Sequence, residues 1–175
     1  MAKGLIHIYH GNGKGKTTSG MGLSLRMCGA GKQVLIHQFL KNNTANERKI
    51  LEQFDNVTFI DGDPKIKFTF QMTEEELEVL SQYTQEKMKE VFQTVQEGDF
   101  DLLFMDEVLH LIYKNIVPES MLVDFLENKP EKLEVILTGY NPTEKLVELA
   151  DYISFIQKEK HPYDQGIKSR SGIEY

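Results

Sequence analysis

A single cysteine, Cys28, occurs among the 175 residues. The chain can therefore close no disulfide on itself and build no CxxC metal site, as expected of a reducing compartment. Cys28 itself reads as a small, buried, apolar residue on a helix. Excess positive charge is missing too: 20 Lys and Arg stand against 27 Asp and Glu, a formal charge of −7. That balance disfavours a nucleic-acid scaffold, which needs a basic face to neutralise phosphates, but leaves room for a small anionic ligand where positive charge gathers locally. No apolar run approaches the roughly 20 residues that a membrane-spanning helix needs, and residues 1–4 lead toward a strand without a charged and then apolar leader. The expectation is a cytoplasmic protein with neither a membrane nor a nucleic-acid partner. Its five prolines are scattered, and no Ser/Gly-rich linker, low-complexity run or self-similar period divides it. Residues 1–175 are read as one domain around one core.

What the chain does have is a regular alternation. Residues 5–9 are apolar apart from His7 and stop at glycines, which reads as a buried strand entering a loop. A helix is expected over 17–28, ended by Gly29 and Gly31. Residues 34–40 read as a second strand. The capping-box spacing of Thr44 and Glu47 predicts a short helix to about Phe54, with a third strand at 57–60. Residues 61–71 contain Gly62 and Pro64 and lack a helical period, so they read as a loop displaying Phe68 and Phe70. Thr73 and Glu76 form a second capping box before a long helix to about Gln96, whose Leu77, Leu80, Met88, Val91 and Val95 recur on one face. Strands follow at 102–105, 135–138 and 152–156, with helices at 109–113, from Pro118 to about Leu126, and at 143–150. Short apolar strands alternating with helices predict an α/β fold, a mainly parallel sheet covered by helices on both faces. Such sheets bind ligands beyond the carboxyl ends of their strands.

At that edge, between the first strand and the first helix, stands Gly11-Asn12-Gly13-Lys14-Gly15-Lys16-Thr17-Thr18. Its glycines allow positive φ and close backbone approach, so successive N–H groups can converge on phosphate oxygens at a helix N-terminus. Lys16 brings a mobile positive charge, and the hydroxyl of Thr17 is placed to ligate magnesium, which together suit the triphosphate of ATP. The usual G-x-x-x-x-G-K-[ST] pattern has its first glycine where this chain has His10; a glycine follows one residue later. Lys14 either adds a second charge to the triphosphate or is a solvated loop lysine. Leu102-Leu103-Phe104-Met105-Asp106-Glu107, four apolar residues followed by two carboxylates, has the form of a Walker B strand. Magnesium keeps several waters, so Thr17, one carboxylate of Asp106 or Glu107, and phosphate oxygens suffice as ligands. The alternative is that Asp106 caps the next helix. His7 and His37 lie in strands and His110 on a helix without an i+4 histidine, so each reads as structural.

Residues 10–18, Gln38-Phe39-Leu40-Lys41, Met105-Asp106-Glu107 and Leu137-Thr138-Gly139 together closely resemble the ATP:corrinoid adenosyltransferases of the cobA/btuR type. The stretch from Lys160-His161-Pro162-Tyr163-Asp164-Gln165-Gly166 to Gly172-Ile173-Glu174-Tyr175 resembles that family's ending. The resemblance implies a three-layer, RecA-like P-loop NTPase fold, usually a homodimer, that moves the 5′-deoxyadenosyl group of ATP onto cobalt(I) of a reduced corrinoid. Triphosphate leaves, and an electron-donating reductase keeps the corrinoid reduced. Cobalt(I) is the nucleophile, so no protein base is expected. Lys16, the loop amides and magnesium would stabilise the leaving group, and Glu107 is counted with Lys16 as catalytic. The resemblance further implies that Phe68 and Phe70 displace the lower axial ligand of the corrinoid. It also implies that residues 157–175 fold back toward the active site, with His161 at the corrinoid. An arginine often follows the Thr-Gly pair in the family; here Tyr140 does, leaving Lys14, Lys41 or Lys160 to replace its charge. Two alternatives share the loop and the carboxylates: a small nucleoside-kinase-like phosphotransferase and a non-catalytic ATP-binding regulator.

Overall fold

The computed structural model describes residues 3–63 and 72–174. Strands and helices alternate as β1 (Ile6–His10), α1 (Lys16–Gly29), β2 (Val34–Gln38), α2 (Asn46–Leu51), β3 (Val57–Ile60), α3 (Glu74–Glu97) and β4 (Leu102–Asp106). They continue as α4 (Val108–Tyr113), α5 (Glu119–Glu127), β5 (Glu134–Gly139), α6 (Glu144–Leu149) and β6 (Tyr152–Phe155), before a 3-10 turn at Pro162–Gln165. The strands form one sheet in the order β3-β2-β4-β5-β1-β6, and every pairing is parallel. Parallel neighbours need crossovers that return the chain to the same end, and here helices supply them.

Because both faces of the sheet are covered, its inner strands are apolar at successive positions. In β4, Leu103 and Met105 enter one core while Leu102 and Phe104 enter another. The first core takes in Leu80 and Met88 of α3, Leu109 of α4, Leu122 of α5 and Leu146 of α6. The second takes in Met21 and Cys28 of α1 and Leu51 of α2. Three layers result. Close packing of α1 depends on Gly20, where an added Cβ would lie 2.3 Å from the ring of Phe104.

The two Thr-x-x-Glu sequences behave differently. Thr73 accepts from the amide of Glu76, whose carboxylate accepts from the amide of Thr73, so the capping box at α3 forms. None forms at α2, which starts at Asn46 after an Ala45 N-cap with no side-chain bond. There the Thr44 hydroxyl donates to Asn42 Oδ1 at 2.6 Å. The preceding turn is already tied elsewhere: Asn43 Oδ1 accepts from Gly62 N at 2.7 Å, and its Nδ2 donates to Gly62 O at 3.1 Å. The same turn ends β2 at Gln38, short of the expected residue 40, with Leu40 at φ 56° and Asn43 at φ 64°. Helix α2 likewise stops at Leu51 rather than near Phe54. Phe68 and Phe70 lie outside the described residues.

The strand order positions the site. The glycine loop follows β1 and the carboxylate pair follows β4, yet β5 lies between these two strands. The end of β5, at Thr138 and Gly139, is thereby placed between loop and carboxylates.

Candidate nucleotide and metal site

The glycine loop is anchored from behind. Gly11 and Gly15 have φ of 125° and 120°, where L side chains are strained. Gly13 is needed for a different reason: an added Cβ would lie 2.8 Å from Ile156 O, the carbonyl to which Gly13 N donates at 2.8 Å. Asn12 Oδ1 also accepts from Lys158 N at 2.8 Å, so the chain following β6 holds the loop at two points. Gly15 is the N-cap of α1, and no side chain caps that helix. Its first N–H groups, with the positive end of the helix dipole, are suited to an anion. Lys16 keeps its ammonium over the loop by donating to Gly13 O at 2.9 Å, while Lys14 and Thr18 are exposed.

Asp106, at the end of β4, is fully buried and surrounded by donors. The hydroxyls of Thr17 and Thr138 donate to its Oδ1 at 2.9 and 2.6 Å. Gln38 Nε2 and Lys41 Nζ donate to its Oδ2 at 3.0 and 2.6 Å. Burial pushes the carboxyl pKa up, but the Lys41 ammonium and the hydrogen bonds from Lys41, Thr138 and Gln38 outweigh it and hold the pKa below the usual range. The group is an anion held ready for a cation. It does not cap α4: Glu107 occupies that N-cap, at φ 62° and with no side-chain cap bond. The Glu107 amide donates instead to Thr138 Oγ1 at 2.9 Å. Burial, then the charge of Asp106, raises the pKa of Glu107 against the pull of Lys41 and Lys16. Two neighbouring carboxyl groups are thus pushed in opposite directions, a common mark of functional sites.

The hydroxyl oxygen of Thr17 and the carboxylate oxygens of Asp106 suit a hard cation. Gln38 offers a further sign, since its Oε1 is buried without a hydrogen-bond partner while its amide nitrogen is committed to Asp106. Buried acceptors of this kind are rarely left unpaired, and a metal-bound water would supply the missing donor. Among the described residues no group of three His, Cys, Asp or Glu side chains is placed to hold an ion. An ion here would rely on phosphate oxygens and water, as magnesium does and structural zinc does not. Sequence reasoning assigned no role to the side chains of Gln38 and Thr138. Their signal was a polar residue at the carboxyl end of a strand, the ligand-binding edge.

Two cavities adjoin the loop. One, of about 320 Å³, is lined by residues 12–18 together with Glu107, His161, Ile173 and Glu174. The other, of about 440 Å³, lies among Lys14, Thr17 and Thr18, Lys41 with residues 42 and 44–47, and residues 172–174. The C-terminal residues therefore lie across the loop, tied at one end by Lys158 and at the other by Asn46 Nδ2 donating to Ser171 Oγ at 3.2 Å. Hydrogen bonds from Arg170, helped by the charge of Lys14, hold the Glu174 carboxyl at a pKa of about 2. His161 lines the first cavity, and its Nδ1 accepts from Tyr163 N at 3.1 Å, capping the 3-10 turn. A third cavity, of about 450 Å³, lies between Glu74, Leu77, Glu78 and Ser81 of α3 and residues 114–116. Two of the other histidines have local partners: His37 Nδ1 meets Ile60 O at 2.9 Å, and His7 meets Glu134 at 2.5 Å while stacking on Tyr152. Tyr140 packs edge-on against Tyr113.

A family model described as ATP:corrinoid adenosyltransferase BtuR/CobO/CobP matches residues 2–175. The corrinoid adenosyltransferase of Escherichia coli K12 is 31% identical over 174 residues, covering 99% of this chain and 86% of the relative. That of a Sinorhizobium species is 32% identical over 181 residues, covering 99% and 81%. A third, from Salmonella typhimurium, is 29% identical with 99% and 86% covered. Among solved structures, a KaiC-like protein from Pyrococcus horikoshii superposes with a TM-score of 0.55 over 91% of this chain and 75% of that one. At 13% identity the likeness is one of fold, and with the glycine loop it makes the three-layer sheet a RecA-like P-loop fold.

Proposed function

The chain belongs to the ATP:corrinoid adenosyltransferase family BtuR/CobO/CobP, and from that premise we propose that it transfers the 5′-deoxyadenosyl group of ATP to cobalt(I) of a reduced corrinoid, releasing triphosphate. The match along residues 2–175 is the observation that carries this reading. In the reaction, cobalt(I) gives an electron pair to the 5′-carbon, and the C5′–O bond breaks with its pair leaving on triphosphate. Cobalt rises by two formal oxidation steps. No side chain has to take a proton. The protein's work is to stabilise the leaving charge, align cobalt with ribose and exclude water.

Each side chain then has a task. Lys16, Lys14 and the amides of the loop bind the triphosphate. Thr17 and Asp106 would hold magnesium, beside the unpaired Gln38 Oε1, and the ion would supply positive charge to the phosphate oxygens. Glu107 lines the same cavity as the loop and is assigned with Lys16 to the leaving triphosphate. Phe68 and Phe70, which precede α3 in the sequence, are assigned to the lower face of the corrin. His161, on the returning C-terminal segment, is assigned to the corrinoid as well. The protein acts in the cytoplasm as a homodimer, with a reductase supplying electrons and either complete cobalamin or a biosynthetic intermediate as acceptor.

The test is an anaerobic incubation of ATP and magnesium with chemically reduced cob(I)alamin, following the visible spectrum and the phosphate products together. Adenosylcobalamin and triphosphate should form in equal amounts. A phosphorylated acceptor with ADP would identify a kinase, and unchanged ATP a regulator; either result overturns the reading.

A further inference from the structure

Lys41 stands where the metal of the proposed reaction would stand. Its Nζ is 2.6 Å from Asp106 Oδ2 and 3.1 Å from Thr17 Oγ1, bridging the two groups assigned as metal ligands. The backbone delivers it there. Leu40, the residue before it, takes φ 56°, an unfavourable conformation for a bulky side chain, and so turns the chain at the end of β2. On the far side, an added Cβ at Gly62 would lie 2.7 Å from Lys41 O, and the Asn43 side chain binds both polar backbone atoms of Gly62. The peptide is therefore fixed while the side chain has room to move. It is 32% exposed, and Lys41 shares the 440 Å³ cavity with Lys14 and Thr17.

A magnesium ion bound to Thr17 and Asp106 would lie about 2.0–2.1 Å from each oxygen. An ammonium within hydrogen-bond reach of the same oxygens fills that space, and two positive charges so close repel strongly in a buried site. We propose that Lys41 is an exchangeable cation. In the nucleotide-free protein its ammonium holds the Thr17–Asp106 pair; when ATP brings the metal, the ammonium yields the seat and turns onto the triphosphate. This inference rests on the magnesium reading above. The exchange keeps the buried Asp106 paired with a cation at every stage. It also discourages the free protein from taking up a divalent ion without nucleotide.

The experiment measures Mn2+ uptake by electron paramagnetic resonance, with and without ATP, for wild type, Lys41→Met and Asp106→Asn. Wild type should bind Mn2+ weakly without nucleotide and much more tightly together with ATP. Lys41→Met should bind Mn2+ without nucleotide at least about tenfold more tightly than wild type, because the competing charge is gone, and should bind ATP more weakly. The variant should also melt at a lower temperature, since removing one member of a buried ion pair leaves the other uncompensated. Mn2+ alone should restore that melting temperature while leaving wild type unmoved. If Lys41→Met does not fold, Lys41→Gln, which keeps a donor for Asp106, serves in its place. Nucleotide-free Mn2+ affinity equal to or below wild type in the folded variant overturns the exchange. Failure of the magnesium reading itself shows separately, as Asp106→Asn binding Mn2+ with ATP as tightly as wild type.

Discussion

One hydroxyl, that of Thr138, donates to the Asp106 carboxylate and accepts from the backbone amide of Glu107, so it ties the first carboxylate and the main chain of the second residue together. Thr138→Val keeps the shape and removes both bonds. Each buried group left unpaired costs about 1–3 kcal/mol, so the variant should lose stability by that order in denaturant melts, with Thr138→Ser recovering most of it. A Val variant as stable as wild type would remove Thr138 from this role. His37 bears on pH instead. Burial pushes its pKa down to about 4 from the ordinary 6.5, the bond to Ile60 O and nearby charges modifying the effect. The folded protein therefore binds fewer protons than the unfolded chain between these values. The stability held by the neutral ring is complete above 6.5 and lost as pH falls toward 4, on the order of 3 kcal/mol in all. Asn at position 37 keeps a donor for Ile60 O but does not titrate. The loss of stability between pH 6.5 and 4 should accordingly be smaller in His37→Asn than in wild type, and parallel curves would refute the assignment.

Among the elements, α2 and α3 show how far local patterns reach. Thr73→Ala removes a formed capping box and should cost about 1 kcal/mol by thermal or chemical unfolding, whereas Thr44→Ala removes no cap and should cost only a few tenths. Equal losses would mean that the two helix starts are held alike. From sequence the two spacings are indistinguishable, because what separates them is Asn43 binding Gly62, 19 residues away. The strands were legible for the opposite reason: a run such as Leu102-Leu103-Phe104-Met105 carries its own signal when both faces are buried. The glycine loop was legible because all its parts lie within eight residues. Lys41, Gln38 and Thr138 acquire their place only through Asp106, which is 65, 68 and 32 residues from them. No window along the chain contains that meeting.

At the scale of the whole molecule, β1 lies between β5 and β6, and both partners come late in the chain. Ile6 pairs with Val135, 129 positions later (135 − 6), and His7 with Tyr152. A ribosome adds about 5–20 residues per second, so β1 leaves it roughly 6–26 seconds before its first partner is made. During that interval Ile6 and Ile8, 5% and 0% exposed in the finished fold, have neither of the strands that flank them in the sheet. The glycine loop waits with them, since its anchors are Ile156 and Lys158. Chains arrested with residues up to 130 outside the ribosome should be cleaved readily around residues 11–15, and full-length released chains should resist; early protection of the loop would contradict this order of events. Synthesis from the N-terminus thus exposes the loop strand first and completes its support last. The newborn chain depends on whatever shields apolar segments in the cell until its final strand has been made.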